Sequence, residues 1–242
     1  MARTVILFAC WLALSLSSMG WAQAPVIPGP ERWESAIAKF AEQDKQSPPE
    51  KGKVLFLGSS TIVFSDPLHW FPDLKPLNRG FGGSIVSDSV FYADRIVLPY
   101  EPSVIVFHAG GNDIALGKTP EAVCADFGAL VRKVHAMLPK TRIVYMGLMG
   151  SRLRWQLWPQ MAKANALIAE FCQGDDRLWY VDVWRFLRND QNEPRDELFR
   201  SDRLHLNPDG YRVWSSVLSP VLTRMLYRSE GAPAGQAEKD IK

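Results

Sequence analysis

The sequence contains few cysteines, three among 242 residues. This excludes a small scaffold held together by disulfides, because such scaffolds are rich in cysteine. No cysteine or histidine cluster has the spacing of metal ligands, so we predict neither a metal site nor a cofactor. Cys124 and Cys172 lie in predicted helices, and a disulfide and two free thiols are both open alternatives for them.

Charge of one sign is not concentrated anywhere in the chain. The formal net charge is +2, and the charged residues are spread along the sequence. A nucleic-acid-binding protein normally carries a basic patch or stripe, which is absent from this sequence. We therefore predict no nucleic-acid partner.

The apolar run near the amino terminus, VILFACWLALSL at Val5–Leu16, is shorter than the roughly 20 residues that a membrane-spanning helix needs. Arg3 precedes this run, and Ala22-Gln23-Ala24 follows it. This order is typical of a secretory signal peptide. We predict a signal peptide at residues 1–24 and a secreted or periplasmic protein without a stable membrane span. An uncleaved membrane anchor is the alternative.

The rest of the chain has the length and composition of one soluble domain. Hydrophobic residues make up 47% of the sequence, which suffices for a substantial core. We place the domain at residues 25–228. Residues 229–242 are polar and rich in small side chains, and we predict a disordered tail there.

Short apolar runs alternate with segments of helical periodicity. The runs that predict strands are Lys53–Gly58, Leu74–Leu77, Ser103–Gly110, Arg142–Met149 and Leu178–Val183. The predicted helices are Glu31–Gln46, Ser84–Val97, Thr119–Leu138, Trp158–Cys172 and Asn207–Tyr227. This alternation predicts an α/β fold with a five-stranded parallel sheet and helices on both faces. Ligands of such sheets bind beyond the carboxyl ends of the strands.

Small polar motifs follow the predicted strands at that edge. GSST contains Ser60 after the first strand, NRGFGG follows the second, and GGND contains Asn112 after the third. DRLH, with Asp202 three residues before His205, precedes the last helix. Taken singly, each motif also suits a helix cap or a turn. Together they supply the nucleophile, base, orienting acid and oxyanion donors that acyl transfer requires.

The four motifs, in this order, resemble the four sequence blocks of the SGNH (GDSL-type) hydrolase family. The resemblance extends from about Lys53 to Leu222, and NRGFGG is most similar to the acetylhydrolase-like branch. It implies a three-layer, flavodoxin-like sandwich. The rival α/β-hydrolase fold requires a G-x-S-x-G elbow, and LGSST lacks its second glycine.

The resemblance also implies roles for individual residues. Ser60 matches the nucleophile, Asp202 the acid and His205 the base. Gly83 matches the backbone donor of the oxyanion hole and Asn112 its side-chain donor, with the Ser60 N–H as a third donor. Ser59 stands where the family has aspartate, which leaves Ser59 as the alternative nucleophile.

We therefore predict a secreted serine esterase that acts on a small-molecule, glycan or lipid ester, with acetyl as the first choice of acyl group. Arg154, Trp155 and Trp158 lie in the segment after the fourth strand, and His108 lies near the end of the third strand. We predict that they line the substrate site, although packing roles suit the tryptophans and the histidine too. A lysophospholipase or thioesterase, an acyltransferase, and a binding protein without turnover are the alternatives.

Overall fold

The computed structural model describes residues 27–227, so the predicted signal peptide and tail lie outside the described residues. The strands are β1 Val54–Gly58, β2 Leu77–Gly80, β3 Val104–His108, β4 Arg142–Met146 and β5 Leu178–Val181. The longer helices are α1 Glu34–Gln46, α4 Val86–Ile96, α6 Pro120–Met137, α7 Trp158–Gln173 and α9 Pro208–Tyr227. The short helices are α2 Ser60–Val63, α3 Pro67–Trp70, α5 Gly111–Ala115 and α8 Trp184–Leu187. The 3₁₀ segments are Pro30–Trp33, Pro72–Leu74, Leu98–Tyr100, Arg152–Leu157 and Asp196–Leu198.

The five strands form one parallel sheet in the order β2-β1-β3-β4-β5. Its order reverses between β1 and β3, and this reversal opens a crevice at the carboxyl ends of those two strands. Gly58 is in register with Gly80 of β2 and His108 of β3. The loops that follow these three residues therefore leave the same edge of the sheet. The predicted three-layer α/β sandwich is confirmed.

Two hydrophobic clusters cover the two faces of the sheet. Leu55 and Leu57 of β1 belong to the cluster that packs against α1, α4, α6 and α7. Val54 and Phe56 belong to the other cluster, which α8 and α9 cover. Both faces of the central strands are thus buried, and this explains why these strands read as continuous apolar runs.

The second strand lies further along the chain than predicted. Pro72–Leu74 forms a 3₁₀ turn, and the strand begins at Leu77. The prediction failed because Asn78 and Arg79 make the true strand look polar. Arg79 is nevertheless buried, since it forms an ion pair with Asp44 and stacks on aromatic rings.

Cys124 and Cys172 are both free thiols. Within residues 27–227, no helix combines the length and apolar character that a bilayer crossing needs.

Candidate active site

The loop after β1 presents Ser60 at the crevice. Gly58 has φ +143°, and a Cβ there would lie 2.1 Å from the His108 carbonyl oxygen. Only glycine therefore allows β1 to approach β3 this closely at its end. The chain then turns, Ser59 precedes the helix without a side-chain capping bond, and Ser60 begins α2.

Ser60, His205 and Asp202 form a continuous hydrogen-bonded chain. His205 Nδ1 lies 2.7 Å from Asp202 Oδ2, and His205 Nε2 lies 2.9 Å from Ser60 Oγ. Because an ionised carboxylate only accepts, Nδ1 carries the proton and donates to Asp202. The Nε2 lone pair then faces Ser60, whose hydroxyl donates to it. This is the arrangement in which an imidazole can take the proton of an attacking serine.

Asp202 is held in its charged form. Partial burial acts to raise the pKa of this carboxyl, but hydrogen bonds outweigh that effect and lower the pKa to about 2. The donors are the His205 ring and the backbone N–H groups of Leu204 and His205, the latter two at 2.9 and 3.0 Å from Oδ1. The Asp202 carboxylate thus binds the backbone of the loop that carries it and also orients the His205 ring.

Backbone hydrogen bonds fix the loop that carries Asp202 and His205 on two sides. Arg200 N–H donates to the His205 carbonyl at 2.8 Å, and Leu153 N–H donates to the Arg203 carbonyl at 3.1 Å. The Phe64 ring meets His205 edge-on, with ring centroids 5.1 Å apart, and Arg200 covers the same phenyl ring. These contacts fix the imidazole plane that Ser60 faces.

Asn112, at the start of α5, lies on the other side of the crevice. Its Nδ2 donates to the Ser84 carbonyl at 2.9 Å, and its Oδ1 accepts from Arg154 Nη1 at 3.0 Å. The two partners determine which end of the amide is which, because the carbonyl only accepts and the guanidinium only donates. One Nδ2 hydrogen is left for a ligand in the crevice.

The glycine loop after β2 supplies backbone donors. The Gly80 N–H is occupied, since it donates to Asn78 Oδ1 at 2.8 Å. Among the described residues, neither Gly82 nor Gly83 donates its N–H to a protein acceptor. A Cβ on Gly82 would lie 3.8 Å from Ser60 Cβ, so the Gly82–Gly83 peptide is beside the serine. The predicted backbone donor, Gly83, is thus available.

Two buried carboxylates anchor this loop to the body of the protein. Asp113 accepts from the Val86 N–H at 3.1 Å, and Asp88 accepts from the Ile85 N–H at 3.0 Å. Burial raises the pKa of both carboxyls, although Lys118 opposes this effect at Asp113. Asp113 holds the loop against the helix that follows β3, where Asn112 lies, and Asp88 links it to Arg32 and Trp33.

These groups surround a small, mainly polar cleft of about 50 Å³. The residues that line it are Ser59, Ser60, Thr61, His108, Gly111, Asn112, Leu148, Met149, Ser151, Arg154, Met161, Leu204 and His205. Drug-sized ligands occupy pockets of about 300–1,000 Å³. The cleft therefore has room for a small group only. No cluster of His, Cys, Asp and Glu able to hold a metal ion occurs between residues 27 and 227.

Comparison with known proteins gives the family. The profile of the GDSL-like Lipase/Acylhydrolase family matches residues 65–213, which is more than half of the chain. The chain belongs to this family. It is therefore a hydrolase that acts on ester bonds. The match begins after Ser60 and therefore does not include this serine.

Solved structures agree with this assignment at the level of the fold. One named for a platelet activating factor from Streptococcus pneumonia has a TM-score of 0.71 and 21% identity, covering 79% of this chain and 93% of that one. A Bacteroides fragilis structure described as an acylhydrolase has a TM-score of 0.68 and 18% identity, covering 78% and 96%. An acetyl-xylooligosaccharide esterase variant from Geobacillus has a TM-score of 0.57 and 14% identity, covering 76% and 98%. No curated protein sequence matches the acylhydrolase.

Two of the residues predicted to bind substrate lie elsewhere. Trp155 and Trp158 stack on each other with an interplanar angle of 4°, and both rings contact Trp184. Neither is among the described residues that line the cleft, because both rings pack on the hydrophobic cluster beneath α8 and α9. These contacts fit the packing alternative, and a substrate-binding role for the two tryptophans stays a prediction. His108 does line the cleft, and its Nδ1 lies 2.9 Å from the Met146 carbonyl oxygen.

Two residues outside the four sequence motifs lie at the site. Arg154, which directly precedes Trp155 in the segment after β4, lines the cleft and donates to Asn112 Oδ1. Trp33 covers the glycine loop, since its ring would lie 3.1 Å from a Cβ on Gly83. Nothing in the local sequence could reveal a contact between residues 50 positions apart. Of the residues that support the site, only Asp113 lies within one of the sequence motifs, directly after Asn112 in GGND.

Proposed function

We propose that the acylhydrolase is a secreted serine esterase in which Ser60 attacks the ester, His205 is the base and Asp202 orients the base. One observation carries the proposal: the hydrogen-bonded chain from Asp202 through His205 to Ser60, with links of 2.7 and 2.9 Å. Ser60 is favoured over Ser59 because its hydroxyl is the one that meets the imidazole.

The reaction proceeds by double displacement. His205 takes the Ser60 proton as Oγ bonds to the ester carbonyl carbon, and the carbonyl oxygen becomes an oxyanion. The N–H groups of Ser60 and Gly83 and the free Nδ2 hydrogen of Asn112 bind that oxyanion. His205 then protonates the departing alcohol. Water attacks the acyl-enzyme in the same way and releases the acid and Ser60.

The acyl group is short, with acetyl as the leading candidate. A cleft of about 50 Å³ accommodates a few heavy atoms beside Ser60 and no long chain. The Geobacillus structure with this fold is an acetyl-xylooligosaccharide esterase, which makes an acetylated glycan a reasonable class of substrate. A lysophospholipase or thioesterase would need space for a long acyl chain.

Covalent labelling tests the nucleophile. We expect a fluorophosphonate probe to label the wild-type protein and Ser59→Ala, and not to label Ser60→Ala. Ser59→Ala is the matched control because it removes a hydroxyl from the same loop. Undiminished labelling of Ser60→Ala would refute the assignment.

A series of nitrophenyl esters of increasing acyl length tests the substrate. We expect kcat/KM to be highest for acetate and to fall as the chain grows, since the cleft walls exclude further carbons. A maximum at eight or more carbons would favour the lysophospholipase alternative. Turnover of none of them would favour a binding protein.

Export follows from the predicted signal peptide. We expect the full chain, expressed in a bacterium, to appear outside the cytoplasm with an amino terminus near residue 25. Amino-terminal sequencing of the fractionated protein checks this. An intact Met1 terminus in the membrane fraction would indicate an anchor.

A further inference from the structure

Arg154 places a cation in the wall of the cleft. Its side chain is half-buried, and burial lowers its pKa. No carboxylate of the described residues forms an ion pair with it, whereas the nearby Arg152 pairs with both Glu193 and Asp196. Withdrawing a charge from water without a counter-charge costs stability. The acylhydrolase therefore keeps Arg154 at a position where the fold gains little from it.

Among residues 27–227, the guanidinium forms one hydrogen bond, and its partner is Asn112, the proposed oxyanion donor. Arg154 Nη1 donates to Asn112 Oδ1 at 3.0 Å, while Asn112 Nδ2 donates to the Ser84 carbonyl at 2.9 Å. The amide is thus held at both ends. Rotating it by half a turn would place Nδ2 against the guanidinium, donor against donor. The orientation of the amide is thereby fixed, and Nδ2 keeps a second hydrogen on a residue that lines the cleft.

A cation that binds the amide oxygen also strengthens the amide as a donor. It withdraws electron density toward Oδ1 and so makes the Nδ2 hydrogens more positive, as in other chains of hydrogen bonds. This matters most when a full negative charge develops on the substrate oxygen.

We propose that Arg154 is a positioning residue of the oxyanion hole, which fixes and polarises the Asn112 amide for the transition state. The inference rests on the proposed function, because it requires Asn112 to bind the oxyanion formed by Ser60. A competing role is recognition of an anionic group on the substrate. The hydrogen bond to Asn112 favours positioning, since a residue devoted to the substrate would have no need of that contact.

A double-mutant cycle on nitrophenyl acetate tests the proposal. We expect Arg154→Met to lower kcat about 10- to 100-fold with KM changed less than about threefold, since a charge-assisted hydrogen bond acting in the transition state is lost. Arg154→Lys should recover most of the rate, because an ammonium still donates to Oδ1. In an Asn112→Ala background, Arg154→Met should cost less than about twofold.

The controls separate the possible failures. Arg152→Met removes an arginine of the same 3₁₀ segment that forms ion pairs only at the surface, and it should leave kcat unchanged. An undiminished effect of Arg154→Met in the Asn112→Ala background would overturn the inference. So would a change confined to the KM of an anionic ester, nitrophenyl hemisuccinate, with nitrophenyl butyrate unaffected.

The two proposals fail in different ways. If Asn112→Ala itself keeps full activity, or if Ser60→Ala is still labelled, the proposed site is wrong. If Asn112→Ala loses activity and Ser60→Ala is not labelled, the proposed site stands. If Arg154→Met and Asn112→Ala then act additively, only the role of Arg154 is refuted.

Discussion

Asp202 keeps its charge far into acid solution. Its pKa of about 2 means that it does not titrate in the range where ester hydrolysis is normally measured. The proposed mechanism has a single essential base, and Asp202 adds no ionisation of its own to the acid limb of the activity profile. We expect log(kcat/KM) against pH to show an acid limb of unit slope. A steeper limb in a pH series on nitrophenyl acetate would show that a second group titrates with it.

Neutralising that carboxylate changes the histidine rather than the fold. In Asp202→Asn the side-chain amide can donate to Nδ1, which moves the imidazole proton to Nε2 and away from its role as base. We expect kcat to fall about 10²- to 10⁴-fold, the upper end being the effect in a fully buried triad. Steady-state kinetics checks this. Asp209→Asn, which removes an exposed carboxylate that pairs with Arg212, is the control and should change kcat less than about twofold.

At this scale the sequence was most informative where chemistry restricts the residue type. Ser60, Asp202 and His205 could be named in advance as candidates, because few residues can serve as nucleophile, acid or base, and two of the four sequence blocks contain them. Trp155 could not be placed, since a tryptophan suits a pocket wall and a core equally well. The contact of its ring with Trp184 fits the core role.

The glycine loop requires its backbone conformation as much as its small size. Gly83 has φ +86°, and a Cβ there would also lie 3.1 Å from the Trp33 ring. We expect Gly83→Ala to lower kcat at least about tenfold, because the strained peptide turns its N–H away from the oxyanion. Kinetic assays with thermal unfolding of the same samples check this.

Gly52 provides a matched comparison for that loop. It has φ +77°, and a Cβ there would meet nothing within 4 Å. We therefore expect Gly52→Ala to lower the free energy of unfolding by a similar amount, about 1–2 kcal/mol, because of backbone strain. It should have no effect on kcat. Equal losses of activity in the two variants would mean that Gly83 matters for stability alone.

Strands with a strong apolar pattern lie within their predicted runs, whereas β2 shares only Leu77 with the run predicted for it. Val54–Gly58 reads as a buried strand because all of its side chains pack. Leu77–Gly80 buries an arginine, and this is tolerated only because Asp44 and Tyr100 come from distant parts of the chain. Periodicity cannot anticipate a buried residue that depends on a tertiary partner.

For the whole molecule, His108 couples folding to pH. Burial lowers its pKa to about 4, below the roughly 6.5 of an unfolded histidine. Between those values the unfolded chain binds more protons, so stability rises with pH and is lost as the pH falls. The shift amounts to about 2 kcal/mol of unfolding free energy between pH 7 and pH 5.

Urea unfolding at those two pH values measures this contribution. We expect the pH 7 to pH 5 difference to be about 2 kcal/mol smaller in His108→Gln than in the wild type, whatever the absolute stability of the variant. His69→Gln, a change at an exposed residue, is the control and should leave the difference as it is in the wild type. An unchanged difference in His108→Gln would mean that this histidine is protonated in the folded state.

The architecture as a whole followed from the alternation of strands and helices, since this pattern permits few topologies. The side-chain contacts between distant segments could not be predicted from this pattern, and such contacts form the cleft. Asn112 and Arg154 meet across 42 positions of the chain, and Trp33 reaches Gly83 across 50.

The separation of the nucleophile from its base has a consequence for biosynthesis. Ser60 and His205 are 145 positions apart, and all five strands are complete by Val181. A chain that leaves the ribosome amino terminus first thus carries its serine for most of translation without the groups that activate it. By the proposed mechanism, an interrupted product that ends before Asp202 cannot cleave esters in the compartment where it is made. By this mechanism, esterase activity requires synthesis of the segment that contains Asp202 and His205.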